Sequence, residues 1–163
     1  MDKRDREILE ILQDNSRLTP VQIAAMLGVE QADIEQRIKD LEELRIIAKY
    51  HTLINWEKAG EESVSALIEV KVTPQRGAGF SKVAERIYRF PEVKSVFLMS
   101  GAYDIAVLIE GKTMKEVALF VATKLATIQN VLSTATHFVL KKYKQEGVIL
   151  EDKEEDKRLV ISP

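Results

Sequence analysis

Three stretches of apolar residues at helical spacing open the chain, and the period then changes to two. Ile8, Leu9, Ile11 and Leu12 form one stripe and predict a helix over residues 2–13, ended by the turn-forming run Asp14-Asn15-Ser16. Residues 18–47 predict a short helix, a tight turn and a longer second helix. Thr19 reads as an N-cap, Pro20 takes the first helical position, and Gln22 completes a T-x-x-Q capping box. Ile23, Ala24 and Leu27 give this helix one apolar stripe, and Gly28 supplies a turn in which a positive φ costs no Cβ clash. In the following helix Ile34, Ile38, Leu41 and Leu44 face the core. Two helices about a glycine turn are a helix-turn-helix unit, whose second helix can enter a DNA major groove. A plain helical hairpin in a larger bundle carries the same pattern. After Leu44 the run RIIAKYHTLI is rich in β-branched and aromatic residues and predicts a strand, giving a winged or strand-extended helix-turn-helix domain.

Residues 55–63 (NWEKAGEES) break the apolar pattern and mark a linker, with Trp56 as a packing anchor. From there strict alternation sets in. Ala66, Ile68, Val70 and Val72 fall on one face of a strand over residues 65–73, with Glu69, Lys71 and Thr73 on the other. A loop over 74–79 leads to a helix carrying Phe80, Val83, Ala84 and Ile87, which stops before Pro91. Residues 93–99 predict a strand, Ser100-Gly101-Ala102 a tight turn, and Tyr103, Ile105, Val107 and Ile109 a third strand. A helix follows with Met114, Val117, Phe120 or Val121, and Leu125, then a fourth strand over 133–143 with Thr134, Thr136, Phe138 and Leu140 on one face. The order βαββαβ is the ferredoxin-like arrangement, four antiparallel strands with two helices on one face. The fold class is therefore α+β. The domains are 1–54, the linker 55–63, a ferredoxin-like domain over 64–144, and an extension over 145–163. In that extension Val148-Ile149-Leu150 and Leu159-Val160-Ile161 flank the charged run EDKEEDKR and can pair as a ribbon, or the run can stay solvated.

Composition narrows the function. The 163 residues suit one large or two small domains, and 45% hydrophobic residues can fill a core. Without cysteine there is no disulfide framework and no thiolate metal site. No apolar run approaches membrane-spanning length and the charged N-terminus is no signal peptide, so a cytoplasmic protein is expected. Neither histidine, His51 or His137, sits in a nucleophile pattern, and there is no phosphate-binding glycine loop, so no catalytic residues, metal or cofactor are expected.

The ordered series of residues is more specific than any one motif. Asp5, Ile8-Leu9, Arg17, the helix pair, R-I-x-x-L-E over 37–42, I-I-A-K-Y from Ile46 and Ala59-Gly60 occur in sequence. Over nearly the whole chain, to about Tyr143, this resembles the Lrp/AsnC ("feast/famine") family of amino-acid-responsive transcription regulators. The resemblance implies a reading head, an effector-binding domain of the RAM or ACT-like type, and dimers that stack into octamers. A lone sheet points the same way. Depending on which face the helices cover, Ala66, Val70, Phe97, Val107 or their neighbours would be left exposed unless a second sheet covered them. Two departures stand out: Glu30 occupies the N-cap where the family has Ser or Thr, and Arg45 occupies the family's glycine after the reading helix.

Candidate site residues follow. Gln31, Ala32, Glu35, Gln36 and Lys39 project away from the core face of the reading helix, where Gln can bond adenine edges and Glu can accept from cytosine N4. Arg37, at the family's arginine position, is either a phosphate contact or a salt-bridge partner of Asp33 or Glu30. Residues 1–60 carry nine bases against twelve acids, net −3, which weakens general polyanion binding. In the second domain G-A-Y-D over 101–104 matches the family's G-x-aromatic-D turn. The resemblance implies an amino-acid effector there. Gly101 allows close backbone approach, Asp104 holds the ammonium, Thr134 or Thr136 adds hydroxyl bonds, and Met99 and Tyr103 line the side-chain pocket. Without the resemblance, Asp104 can equally brace a tight hairpin. The expected protein is a sequence-specific regulator of double-stranded DNA that responds to an amino acid. A sensor of the same fold that does not bind DNA is the alternative, and a siroheme-decarboxylase-like enzyme the third.

Overall fold

The computed structural model describes residues 1–74 and 79–151. The loop expected over 74–79 lies mostly outside the described residues, as do the charged run from Asp152 and the Leu159-Val160-Ile161 triplet. The chain divides into two compact units, Met1–Ile54 and Asn55–Pro163.

The first unit is three helices: α1 (Lys3–Asp14), α2 (Pro20–Leu27) and α3 (Gln31–Glu43). At the start of α1, Asp2 and Asp5 each accept the other's backbone N–H, at 2.9 and 2.7 Å, an all-aspartate capping box. The predicted box on α2 is present, with Thr19 N–H donating to Gln22 Oε1 at 2.9 Å. Gly28 takes the left-handed conformation at φ 65°. Ile8, Leu12, Ile23, Ala24, Ile34 and Leu41 form the buried core, and Ile38 and Ile47 pack against it.

Two expectations fail at the end of α3. Leu44 is 70% exposed rather than in the core, because the helix stops at Glu43 and Leu44 becomes its C-cap. Ile46 N–H donates to Leu41 O at 2.9 Å and Arg45 N–H to Glu42 O at 2.9 Å, a Schellman closure. The strand expected over 45–54 is absent. Among the described residues of this unit no other strand offers a ladder partner, and an unpaired strand leaves its backbone groups to water. The segment is tied back instead by Tyr50, whose hydroxyl donates to Glu42 Oε1 at 2.8 Å; burial first and this acceptor second push the Tyr50 phenol up to about 12. Arg45 sits at φ 55°, where the Cβ of a non-glycine residue clashes. Arg45→Gly should relieve ~1–2 kcal/mol of that strain against ~0.4–1 kcal/mol of added chain entropy. The urea midpoint of this unit should therefore rise, and a lower midpoint would show that the arginine side chain contributes more than the strain costs.

The second unit has the predicted βαββαβ order: β1 (Val64–Val72), α4 (Ser81–Tyr88), β2 (Val93–Leu98), β3 (Ile105–Gly111), α5 (Met114–Phe120) and β4 (Val131–Phe138). The sheet runs β2-β3-β1-β4 with every pair antiparallel. Ala66, Ile68, Val70, Val72, Ile105, Val107 and Ile109 pack against Val83 and Ile87 of α4 and Val117 and Phe120 of α5. Thus Ala66, Val70 and Val107 are buried under the helices, whereas Phe97, on the other face, remains 54% exposed. The sequence left Phe120 and Val121 as alternatives; both are buried, because α5 continues into a π-helical turn over Val121–Leu125, with Ala126 N–H reaching Val121 O at 2.8 Å. The fourth strand is shorter than expected and ends at Phe138. A small hairpin follows, β5 (Lys144–Gln145) with β6 (Val148–Ile149), so Val148 and Ile149 pair upstream.

Candidate nucleic-acid interface and effector site

The helix-turn-helix geometry follows from the residues at its joint. Thr19 and Pro20 start α2, Gly28 turns the chain, and Ile34 and Leu41 seat α3 on the shared core. Gln31, Ala32, Glu35, Gln36 and Lys39 are all exposed along α3. Their polar groups are paired within the helix. Gln31 Nε2 donates to Glu35 Oε1 at 2.6 Å and Gln36 Nε2 to Asp40 Oδ1 at 2.7 Å, while Lys39 Nζ lies 3.8 Å from Glu43. Such exposed i,i+4 pairs are worth only ~0.2–0.5 kcal/mol, so a base edge can displace them.

Arg37 is placed differently. Its Nε donates to both carboxylate oxygens of Asp33 at 3.0 Å, and its Nη1 donates to Asp2 Oδ2 at 2.8 Å and Asp5 Oδ1 at 2.7 Å. Of the two roles open in the sequence, the salt bridge with Asp33 is formed, and two further carboxylates join it. The capping-box amides first, and the guanidinium second, hold the Asp2 and Asp5 carboxyls below their ordinary value of 3.8. With lowered folded-state values, the cluster's contribution is present above that pH and is lost as the pH falls below it. The contacts to Asp2 and Asp5 span 35 and 32 residues, beyond the reach of any helical spacing rule.

In the second unit the turn between β2 and β3 is closed by Met99 N–H donating to Asp104 O at 2.8 Å. Asp104 N–H donates to Val70 O at 3.1 Å, and Asp104 Oδ2 accepts Val72 N–H at 2.8 Å. The bracing role is therefore real: one carboxylate oxygen fastens the end of β1. Met99 and Gly101 are exposed and Tyr103 is half-buried. A Cβ built on Gly101 meets nothing within 4 Å, so the space there is open, and it is the backbone, at φ 158°, that favours glycine. Val70 pairs with Ile105 on one side and Thr134 on the other, which sets Thr134 at the same end of the sheet as Asp104. Thr136 pairs with Ile68, deeper along the strand and further from the turn. Both threonines are half-buried.

One residue at this sheet end escaped the sequence reading. Asn130, at φ 74°, accepts Thr73 N–H on its carbonyl at 2.9 Å, and its Nδ2 is buried with no hydrogen-bond partner among the described residues. An asparagine just before a strand reads as an ordinary turn residue, so only the fold reveals its unpaired donor. A groove of about 270 Å³ opens at the opposite end of the sheet, beside Gly111, Glu116, Val117 and Phe120. The 99–104 turn has no part in it. Among the described residues no group of three or more His, Asp or Glu side chains is placed to hold a metal.

A three-helix reading unit and a βαββαβ unit with a braced G-A-Y-D turn define the class of effector-responsive helix-turn-helix regulators. Comparison with known proteins specifies the family. The sequence model of the Lrp/AsnC ligand binding domain matches residues 65–149, and that of a winged helix-turn-helix DNA-binding domain matches residues 1–48. The chain belongs to the Lrp/AsnC family and is a transcriptional regulator with a DNA-binding head and a ligand-binding domain. It is 51% identical over 162 residues to the uncharacterized HTH-type transcriptional regulator YugG of Bacillus subtilis, spanning 99% of this chain and 98% of that one. It is 32% identical over 145 residues to the HTH-type transcriptional regulator FL11 of Pyrococcus furiosus, covering 89% and 93%. Among solved structures, PH0061 superposes with a TM-score of 0.77 at 28% identity, covering 91% of this chain and 98% of that one. The transcriptional regulator NMB0573 of Neisseria meningitidis, solved as a complex with L-Met, gives 0.71 at 29% identity, covering 89% and 93%. Among the described residues no helix is long and apolar enough to cross a membrane.

Proposed function

We propose that this regulator reads a pseudo-palindromic site in double-stranded DNA through Gln31, Ala32, Glu35, Gln36 and Lys39, and that a free amino acid bound at the 99–104 turn controls that reading. The observation that carries the effector half is the Asp104 carboxylate. Its Oδ2 is committed to Val72 N–H, and its Oδ1 makes no bond among the described residues, leaving an acceptor for an α-ammonium group. Thr134 and the unpaired Nδ2 of Asn130 stand at the same end of the sheet and can donate to an α-carboxylate. The L-Met found in a structure similar to this chain supports an amino acid as the ligand class, and Met99 and Tyr103 suit an apolar or mid-sized side chain.

The working particle is a homodimer at minimum, stacked further into an octamer of four dimers. The half-buried Leu67 and Leu108 and the exposed Phe97 lie on the sheet face away from the helices, where a second copy can cover them. Two reading heads then meet half-sites about one helical turn apart. An effector that binds one assembly better than another shifts the population and so the DNA affinity. We read no catalytic role, and we take the cytoplasm as the working compartment. Selection of genomic fragments with and without an amino-acid mixture, with light scattering on the same samples, tests this. Enriched fragments whose yield changes with the mixture, on a particle of at least two chains, are expected. No preferred fragment would leave a sensor that does not bind DNA, and a monomer at micromolar concentration would remove the paired-head mechanism.

A further inference from the structure

The Arg37 cluster bears on how the reading helix is held. α3 begins without a side-chain cap, because Glu30 makes no hydrogen bond to the helix's free amides. The N-terminal half of α3 is instead tied down by one guanidinium. Nε grips both oxygens of Asp33 on α3 itself, and Nη1 reaches the two aspartates that cap α1. The same Asp2 and Asp5 are already fixed by each other's backbone N–H groups, so the anchor is rigid. The Arg37 side chain is 28% exposed and that of Asp5 only 16%. The guanidinium and the Met1 ammonium, 4.0 Å from Asp5, stand among three carboxylates, so the cluster still presents net negative charge, which repels a phosphate.

We propose that Arg37 is a positioning residue: it locks the reading helix to the first helix and sets its angle to DNA, rather than contacting phosphate. Lysine cannot replace it, because an ammonium lacks the planar fork that serves three carboxylates at once. This inference rests on DNA reading by the first unit.

The test uses the full-length protein, its preferred genomic fragment and a scrambled duplex of equal length, titrated over a range of salt. Three variants are needed: Arg37→Met, Arg37→Lys and the double variant Asp5→Asn with Asp33→Asn. A positioning role predicts that all three lose affinity for the preferred fragment by about tenfold, the equivalent of one misplaced base contact. Their discrimination against the scrambled duplex should fall in parallel. The salt slope on the scrambled duplex should be unchanged in Arg37→Met, because no phosphate contact is lost. A phosphate contact predicts the reverse: a slope shallower by about 0.9 in Arg37→Met, near-normal binding in Arg37→Lys, and sharper binding to the preferred fragment when Asp5 and Asp33 release the arginine. Either set of results decides the matter. If Arg37→Met fails to fold by circular dichroism, the charge-preserving Arg37→Lys still separates the two roles. Wild-type protein with no preferred fragment would remove the regulator reading and this inference with it. Wild-type selectivity that all three variants share would remove this inference alone.

Discussion

Asp104→Asn is expected to weaken effector binding about ten- to a hundredfold while leaving the sheet intact. The asparagine carbonyl can still accept the Val72 N–H that Asp104 Oδ2 now accepts at 2.8 Å, so the end of β1 stays fastened. What the substitution removes is the negative charge facing an ammonium group. A hydrogen bond to a charged partner is worth ~1.5–3 kcal/mol, and every ~1.4 kcal/mol is a factor of ten in affinity. Asp104→Ala is the less informative change, because it also frees a strand-end amide and mixes bracing with binding. Isothermal calorimetry against the twenty amino acids, on wild-type and Asp104→Asn protein, reads the effect directly. Equal affinities in the two proteins would restrict Asp104 to its bracing role.

The second large effect lies in the reading head. Ile34 is fully buried in a core of only six buried residues. Truncation of a buried isoleucine to alanine costs ~2–5 kcal/mol. A unit spanning Met1–Ile54 holds on the order of 3–8 kcal/mol at ~0.05–0.15 kcal/mol per residue. Ile34→Ala should therefore consume most of that stability, abolish DNA selectivity, and leave the effector heats of the second unit in place. Amide hydrogen exchange should show lost protection over α1 to α3 with β1 to β4 unchanged. Retention of selective DNA binding within twofold would mean that the small core relaxes around the cavity far better than its size suggests.

Local rules made most of the fold readable. The alternation Ala66, Ile68, Val70 and Val72 marked β1 to within one residue at each end and sorted its two faces, but only the packing of the helices shows which face is covered. Thr19, Pro20 and Gln22 located the start of α2 because a capping box is a matter of four consecutive residues. Failures came where a longer-range or competing term decides. Leu44 keeps helical spacing but sits beyond the Schellman closure, and only the backbone bonds of Ile46 and Arg45 reveal where the helix stops. The run after it has strand composition, yet composition supplies no ladder partner. Phe120 and Val121 could be separated only by assuming a regular helix, and the π-turn buries both. Of the candidate sites, the exposed row on α3 was legible from its wheel. The Arg37 cluster was legible only in its local Asp33 contact, and the free donor of Asn130 not at all, because tertiary neighbours decide both.

The position of β1 at the middle of its sheet sets the order in which the chain can mature during synthesis. β1 needs two neighbours, and its last, β4, pairs Phe138 with Ala66 near the start of the unit. Until residue 138 has left the ribosome, one edge of a strand rich in valine and isoleucine stays open, and only Glu69 and Lys71 interrupt it with charge. The reading head has no such debt: all its core contacts close within the first 54 residues. Translation runs at about 5–20 residues per second, so the head emerges and folds seconds before the sheet can close. The interval between the two is when a nascent chain of this regulator is most open to chaperones and to pairing with a neighbouring ribosome's copy.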